Sequence, residues 1–155
     1  VLIAQNRRCG LPIEIESEVL SFLEEGVTDP AKDGQHGSAI AALARWETDE
    51  SFGALGRVMS NPEEPNDFAK AAEWLSESRH PKAAATILEA FQATDDEDGK
   101  MVAANALMKL ACESPELGLA PVLRGQVRPA LEKLLARADN EWSRHSIAQM
   151  IEALP

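Results

Sequence analysis

The sequence predicts an all-α protein built from a helix–turn–helix unit that recurs along the chain. The 155 residues are 45% hydrophobic, mostly Ala and Leu, while aromatic residues make up only 5% and Tyr is absent, a composition that favours helix over strand. Apolar residues recur at helical spacing, and breaks rich in Pro, Gly or Asp separate the helical segments. A helix pair of this size cannot bury both apolar stripes alone, so consecutive pairs are expected to stack.

The clearest unit spans residues 81–113, where the sequence predicts a helix, an acidic turn and a second helix. The apolar stripes consist of Ala84, Ile87, Leu88 and Phe91 in the first helix and of Ala103, Ala106, Leu107 and Leu110 in the second. We interpret Asp95, Asp96 and Asp98 in the turn as solvated charge at the positive end of the second helix. A calcium site is not expected there, because the carboxylates are consecutive and no Glu occupies the twelfth position of the loop.

The chain before this unit divides into shorter predicted helices. Residues 1–10 are predicted to be the last turns of a helix, and the chain, which does not begin with Met, is either shortened or part of a longer protein. The next helix is predicted to end at Gly26, before a polar loop over 28–34. Ser38 is predicted to be the N-cap of the helix that follows, which leaves His36 in the loop.

Two more helices are predicted before residues 81–113. The first covers residues 51–59, and Pro62 and Pro65 prevent it from continuing. Asp67 is predicted to cap the second, and His80 lies in the break that ends it.

The C-terminal part begins with a predicted insertion over residues 114–126, in which two prolines and two glycines interrupt the helical pattern. Pro129 is predicted to mark the first turn of the following helix, because proline is tolerated where no helical N–H bond is needed. Asp139 and Asn140 are predicted to cap the last helix.

The second helices of the pairs align in one register. The matching core positions are Ala39, Phe68, Ala103 and Ile147, then Leu43, Ala72, Leu107 and Ile151, then Trp46, Leu75, Leu110 and Leu154. The last set is spaced by 29, 35 and 44 residues, and the third spacing is long because of the insertion. The sequence therefore predicts one domain over residues 1–155 with four helix pairs, at 11–48, 51–78, 81–113 and 115–155.

This pattern resembles the HEAT-like repeat family, which has an armadillo-type superhelical fold. The best match covers residues 88–110, where a Leu-rich helix and an Asp-rich turn precede Val102 and the run Ala103, Ala106, Leu107, Leu110. Residues 134–154 repeat the order with Asp139, Trp142 and Arg144. The resemblance implies a right-handed α-solenoid of about four antiparallel helix pairs, or about eight helices.

Charge and composition restrict the expected partners and location. A formal net charge of −11 repels phosphate backbones and anionic lipid, so neither nucleic acid nor membrane is an expected partner. No apolar run approaches the ~20 residues that cross a bilayer. Cys9 and Cys112 lack the spacing of a metal clip or redox pair and are expected to be reduced thiols in a cytoplasmic protein.

Catalysis is not expected, because no set of residues has a catalytic or metal-binding spacing. His36, His80 and His145 are isolated, and none is followed by Glu. The repeated His-Glu pairs of the deoxyhypusine hydroxylases, the iron-binding HEAT-like enzymes, are therefore missing. The sequence predicts no enzyme, no metal and no cofactor.

The three tryptophans have different predicted roles. Trp46 falls in register with the core, and Trp142 is expected to pack against the preceding insertion. Trp74 precedes its core position by one residue, in register with Arg45 and Lys109, so it lies about 100° around the helix from the apolar stripe. It is either packed between repeats or exposed on the flank that lines the concave face of HEAT-like solenoids.

The leading hypothesis is a non-catalytic scaffold that binds a peptide or protein domain on its concave face. The predicted partner-binding residues are Arg45, Lys70, Trp74, Asn105 and Lys109. Since three of them are cationic, an acidic peptide with an apolar anchor is the more specific expectation. One alternative is a HEAT-like enzyme or chaperone-lyase subunit similar to the bilin lyases. The others are a HEAT-like DNA glycosylase, for which the acidic charge is unfavourable, and a spacer segment of a larger protein.

Overall fold

A computed structural model of the chain describes residues 13–28, 36–62 and 66–154, and this part of the protein contains eight helices and no strand. The helices are α1 (Ile13–Thr28), α2 (His36–Trp46), α3 (Asp49–Ser60), α4 (Asp67–Ser76), α5 (Pro81–Ala93), α6 (Glu97–Glu113), α7 (120–135) and α8 (Glu141–Ala153). A 3₁₀ turn, Pro115–Leu117, lies between α6 and α7. The helix predicted over residues 1–10 and the loop predicted after Thr28 fall outside the described residues.

Side chains cap the first turns of four helices. Thr48 and Ser51 form a capping box at the start of α3, with Ser51 N donating to Thr48 Oγ1 over 3.1 Å. Asp96 Oδ2 accepts from Gly99 N at 2.7 Å, and Asn140 Oδ1 accepts from Ser143 N at 2.8 Å. His80 Nδ1 accepts from the backbone N–H of Lys82 at the start of α5, and Pro81 occupies the first helical position.

The end of α1 and the start of α2 differ from the prediction. Gly26 does not end α1, which continues to Thr28. A Cβ atom at Gly26 would lie 3.4 Å from the Cβ of Ala39, so the two helices are in van der Waals contact at this position. Helix α2 begins at His36, and Ser38 lies inside it as an exposed residue rather than as its N-cap.

The predicted roles of His36 and Asp67 were wrong for a common reason. Both side chains are buried, and His36 Nδ1 lies 3.2 Å from Asp67 Oδ2. Asn66, not Asp67, precedes α4 as its N-cap residue. The pair joins the first residues of α2 and α4, so Asp67 contacts a neighbouring helix instead of capping its own.

Helices α1 to α6 follow a regular contact pattern. Each of them contacts the next helix in the chain, and each of α1 to α4 also contacts the helix after that. The contacts between alternate helices form two rows, one of α1, α3 and α5 and the other of α2, α4 and α6. This arrangement is compatible with stacked helix pairs.

Four side-chain hydrogen bonds join neighbouring helices of a row or the residues just after them, and each spans 31 to 34 positions in the sequence. They connect Glu24 with Arg57, His36 with Asp67, Glu47 with Ser78, and Gln92 with Gln126. The last of these, at 2.7 Å, extends the first row from α5 to α7. The polar links therefore repeat with nearly the same period as the helix pairs.

The core lies between the two rows and contains the positions predicted for it. Among the aligned core residues, only Phe68 and Ile151 are half-buried, and both pack against the core. The other aligned residues are buried, and Trp46 has no exposed surface, as predicted. Periodicity alone thus identified the inward face of the second helix in every pair.

The predicted insertion over 114–126 contains more helix than expected. Helix α7 consists of Ala120–Val122, a π turn at Leu123–Val127 and the segment Arg128–Leu135 without a break. Pro129 lies in the first turn of the α-helical segment Arg128–Leu135, as predicted, but this segment continues directly from the π turn. Because proline has no N–H and its ring crowds the carbonyl four residues earlier, here that of Gly125, a wider turn accommodates it.

None of the described helices combines the length and the apolar character that a membrane span requires.

Candidate partner-binding surface

The five predicted partner-binding residues lie on three adjacent helices of one row. Arg45 is on α2, Lys70 and Trp74 are on α4, and Asn105 and Lys109 are on α6. We call this set the binding ridge. Helix α4 contacts both α2 and α6, so the ridge crosses neighbouring helices at the molecular surface.

Trp74 is half-buried and covered on one side by Arg45. The guanidinium carbon of Arg45 lies 4.7 Å from the centre of the Trp74 ring, within the range of a cation–π contact. Trp74 also packs against the hydrophobic core. It therefore combines the two roles considered for it, since it packs between helices and still has accessible surface.

Two cations of the binding ridge are close to carboxylates. Lys109 Nζ lies 3.5 Å from Glu77 Oε1, and Lys70 Nζ lies 3.8 Å from Asp67 Oδ1. Glu73 is exposed on the same helix as Trp74. These carboxylates offset the positive charge of the ridge, so the expectation of an acidic peptide loses its electrostatic basis.

A groove of about 640 Å³ separates α6 from α8. From α6 it is lined by Asp98, Met101, Val102, Asn105 and Met108. From α8 it is lined by Trp142, Ser146, Gln149, Met150 and Ala153. We call it the methionine groove, because three of the four methionines in the chain line it. Asn105 belongs to both the groove and the binding ridge, so the two surfaces are continuous.

Trp142 does not have the role predicted for it. Instead of packing against the preceding insertion, its side chain is 68% exposed and lies on the wall of the methionine groove. A large exposed aromatic residue beside flexible apolar side chains is typical of a surface that binds another molecule.

The methionine groove continues at its far end into a smaller cavity of about 270 Å³. Met108 and Ala153 line both spaces. The smaller cavity is also lined by Ala111, Cys112, Pro115, Leu119 and Leu123. The apolar surface therefore follows α6 from its first turn to its last.

The other end of the methionine groove is acidic. Carboxylates in or next to the N-terminal turns of α6 and α8 belong to Asp95, Asp96, Glu97, Asp98, Asp139 and Glu141. The nearby cations belong to Lys100, Arg137 and Arg144. Lys100 Nζ donates to Phe91 O at 3.0 Å, and Arg144 Nε donates to Ala138 O at 2.8 Å. Three more carboxylates than cations leave this end with net negative charge.

Two of the three histidines have structural contacts in the described part of the chain. His36 is buried against Asp67, and His80 caps α5 while its ring stacks on Phe52 with 5.0 Å between the ring centres. His145 is exposed on α8. Within the described residues, no group of three or more His, Cys, Asp or Glu side chains is placed to hold a metal ion.

Comparison with known proteins adds no relative. No protein-family model matches the chain, and no curated protein and no solved structure matches it either. The functional interpretation therefore depends on the geometry of the surface itself.

The methionine groove was not predicted from the sequence, although the sequence contains the residue spacing that forms one of its walls. Met101, Asn105 and Met108 recur at helical spacing on α6, next to the core stripe of that helix. Periodicity cannot show that α8 is set apart from this face, because that distance depends on how the fourth helix pair is placed.

Proposed function

We propose that this chain is a non-catalytic protein-interaction module of the HEAT-like type. In this proposal its four antiparallel helix pairs form a right-handed α-solenoid in the cytoplasm, and the row of α2, α4 and α6 lines the concave face. The partner is a peptide or a protein domain that lies along this face. The observation that carries the proposal is the continuous surface formed by the binding ridge and the methionine groove.

The packing of the helices supports the repeat architecture. In stacked-repeat proteins each unit contacts its nearest neighbours, and the stack presents an extended surface. Here, contacts between alternate helices and polar links at a spacing of 31 to 34 residues have this nearest-neighbour character.

The residues along the surface support protein binding. Tryptophan and arginine are enriched among residues that dominate binding energy, and Trp74 and Arg45 already contact each other near the middle of the row. This contact restrains both side chains before a partner arrives, which reduces the entropy lost on binding.

The proposal can be tested by quantitative capture from a lysate of the source organism. The wild-type chain is compared with the double variant Trp74→Ala, Lys109→Glu, and with Lys133→Glu, which reverses an exposed charge on α7. We expect the double variant to lose a partner that the wild type and Lys133→Glu retain. Circular dichroism and thermal unfolding must show that the double variant is folded at the capture temperature.

Equal capture by all three chains would refute the assignment of the binding ridge. A partner lost from the folded double variant can then be purified and cross-linked to the wild-type chain. Cross-links to α2, α4 and α6 are expected, and cross-links confined to α1, α3 and α5 would place binding on the opposite row.

A further inference from the structure

We infer that the methionine groove binds an amphipathic helix of a partner protein, with the basic end of that helix over the N-terminal turns of α6 and α8. This inference rests on the proposed function, because it specifies the partner of the same continuous surface. It is carried by the length of the groove, by the chemistry of its walls and by the charge at its acidic end.

The length of the groove suits a helix. From Asp98 to Met108 the groove follows about 15 Å of α6, and the adjoining cavity extends this to about 21 Å at Cys112. A helix of about 14 residues has the same length. Since α2, α4 and α6 are in contact while α6 and α8 are separated by the groove, a helix placed there would extend the row.

The walls of the groove suit an apolar helix face. Met101, Met108 and Met150 have flexible, polarisable side chains that adapt to different apolar partners. Trp142 adds an accessible aromatic surface on the opposite wall from α6. An amphipathic helix would present apolar residues at i, i+3, i+4 and i+7 to such a groove and keep its polar face in water.

The charge at the acidic end gives the bound helix a direction. The positive ends of the α6 and α8 dipoles contribute about half a unit charge each, or about one in total. The excess of three carboxylates at the same end outweighs this, so the net potential there is negative. A helix with Lys or Arg at one end therefore binds with that end near Asp98 and Glu141.

The methyl groups of the methionines provide a direct test with an internal control. The full chain is labelled at its methionine methyl carbons and titrated with three synthetic helical peptides of about 18 residues. The first has a Leu face and a Lys-rich end, the second has Glu in place of Lys, and the third has the composition of the first in an order without an apolar face. We expect the first peptide alone to shift the signals of half-buried Met108 and Met150 and of buried Met101 beside them, while Met59, which does not line the groove, stays unchanged.

Two variants locate the determinants of binding. Trp142→Ala should weaken the binding of the first peptide about tenfold, the effect of removing an aromatic side chain that contacts the ligand. The pair Asp98→Asn, Glu141→Gln is expected to reduce the preference for the first peptide over the second by about tenfold. Both changes affect exposed side chains, so the far-ultraviolet circular dichroism should match that of the wild type.

Several results would overturn the inference. Equal binding of the Lys and Glu peptides would remove the charge argument, and a shift of Met59 alone would place the peptide elsewhere. If the groove signals shift with protein concentration and no peptide, a second copy of the chain is the occupant instead. Loss of partner capture by the Trp74 double variant, with no peptide in the groove, would leave the proposed function intact and reject only this inference.

Discussion

The first three helix pairs and the fourth pair are packed in different ways. Each of helices α1 to α6 contacts the next helix in the chain, and contacts between alternate helices close their rows over a continuous core. In the fourth pair, α7 joins the first row through the Gln92–Gln126 hydrogen bond, but a groove separates α8 from α6. Arg128 instead ties α7 to the end of α8, with donor distances of 3.0 and 3.3 Å to the carbonyls of Ile151 and Leu154.

This difference in packing determines whether a large apolar side chain stabilises the fold or remains on the surface. Where a row is closed, large apolar side chains such as Trp46 are fully buried and stabilise the fold. Where the row is open, side chains of the same type, such as Trp142, remain accessible to a partner. Tryptophan thus has opposite expected effects in the two regions, and substitution can measure them.

The largest expected effect is that of Trp46→Ala. Removal of this fully buried side chain leaves a cavity in the closed stack, so the free energy of unfolding should fall by about 3–5 kcal/mol. Trp142→Ala is the matched control in the open region and should change it by no more than about 0.5 kcal/mol. Urea unfolding followed by circular dichroism measures both. Similar losses for the two variants would contradict the contrast between the regions.

A smaller effect is expected for Asp67→Ala, which breaks the buried pair between the first residues of α2 and α4. The substitution removes a buried hydrogen-bonding partner of His36, and a loss of about 1–3 kcal/mol should follow. Asp49→Ala is the control, because Asp49 is the exposed first residue of α3 and contributes only its dipole interaction, about 0.3–1 kcal/mol. If Asp67→Ala and Asp49→Ala lowered the free energy of unfolding in urea equally, the buried pair would contribute no more to stability than an exposed first-turn carboxylate.

The smallest loss of stability is expected when an N-cap is removed, and the helices in which it appears distinguish the closed stack from α8. Asn140→Ala removes the cap of α8 and should destabilise that helix by about 1 kcal/mol. Because α8 is separated from α6, we expect hydrogen exchange to accelerate about fivefold in α8 alone. Asp96→Ala removes the corresponding cap of α6, and its effect should extend to α4 and α5, which contact α6. If Asn140→Ala accelerated exchange throughout the chain, α8 would be coupled to the stack as tightly as α6.

The helices and their inward faces were predictable from the sequence because both depend on local spacing. The core residues of the second helices were found from a 3.6-residue period. The cap of the last helix was found at Asn140, one of the two residues predicted for it from residue type and position. The break at Pro62 was also found, since proline cannot continue a helix. These features involve residues within one turn or one helix of each other.

The features that escaped prediction depend on contacts between distant residues. The burial of His36 needs Asp67, which lies 31 positions away on another helix. The continuation of α7 through Gly125 and Pro129 depends on a π turn, for which neither residue type gives a signal. The exposure of Trp142 follows from the placement of α8, which no local pattern specifies.

The contact pattern of α1 to α6 also bears on the order in which the protein acquires its structure. Each of these helices finds its contacts within two helices along the chain, so a growing polypeptide meets its partners soon after it leaves the ribosome. The polar links within the rows span 31 to 34 positions, about one helix pair of additional synthesis. The stack can therefore form progressively during translation, with the groove between α6 and α8 completed only when the last helix has emerged.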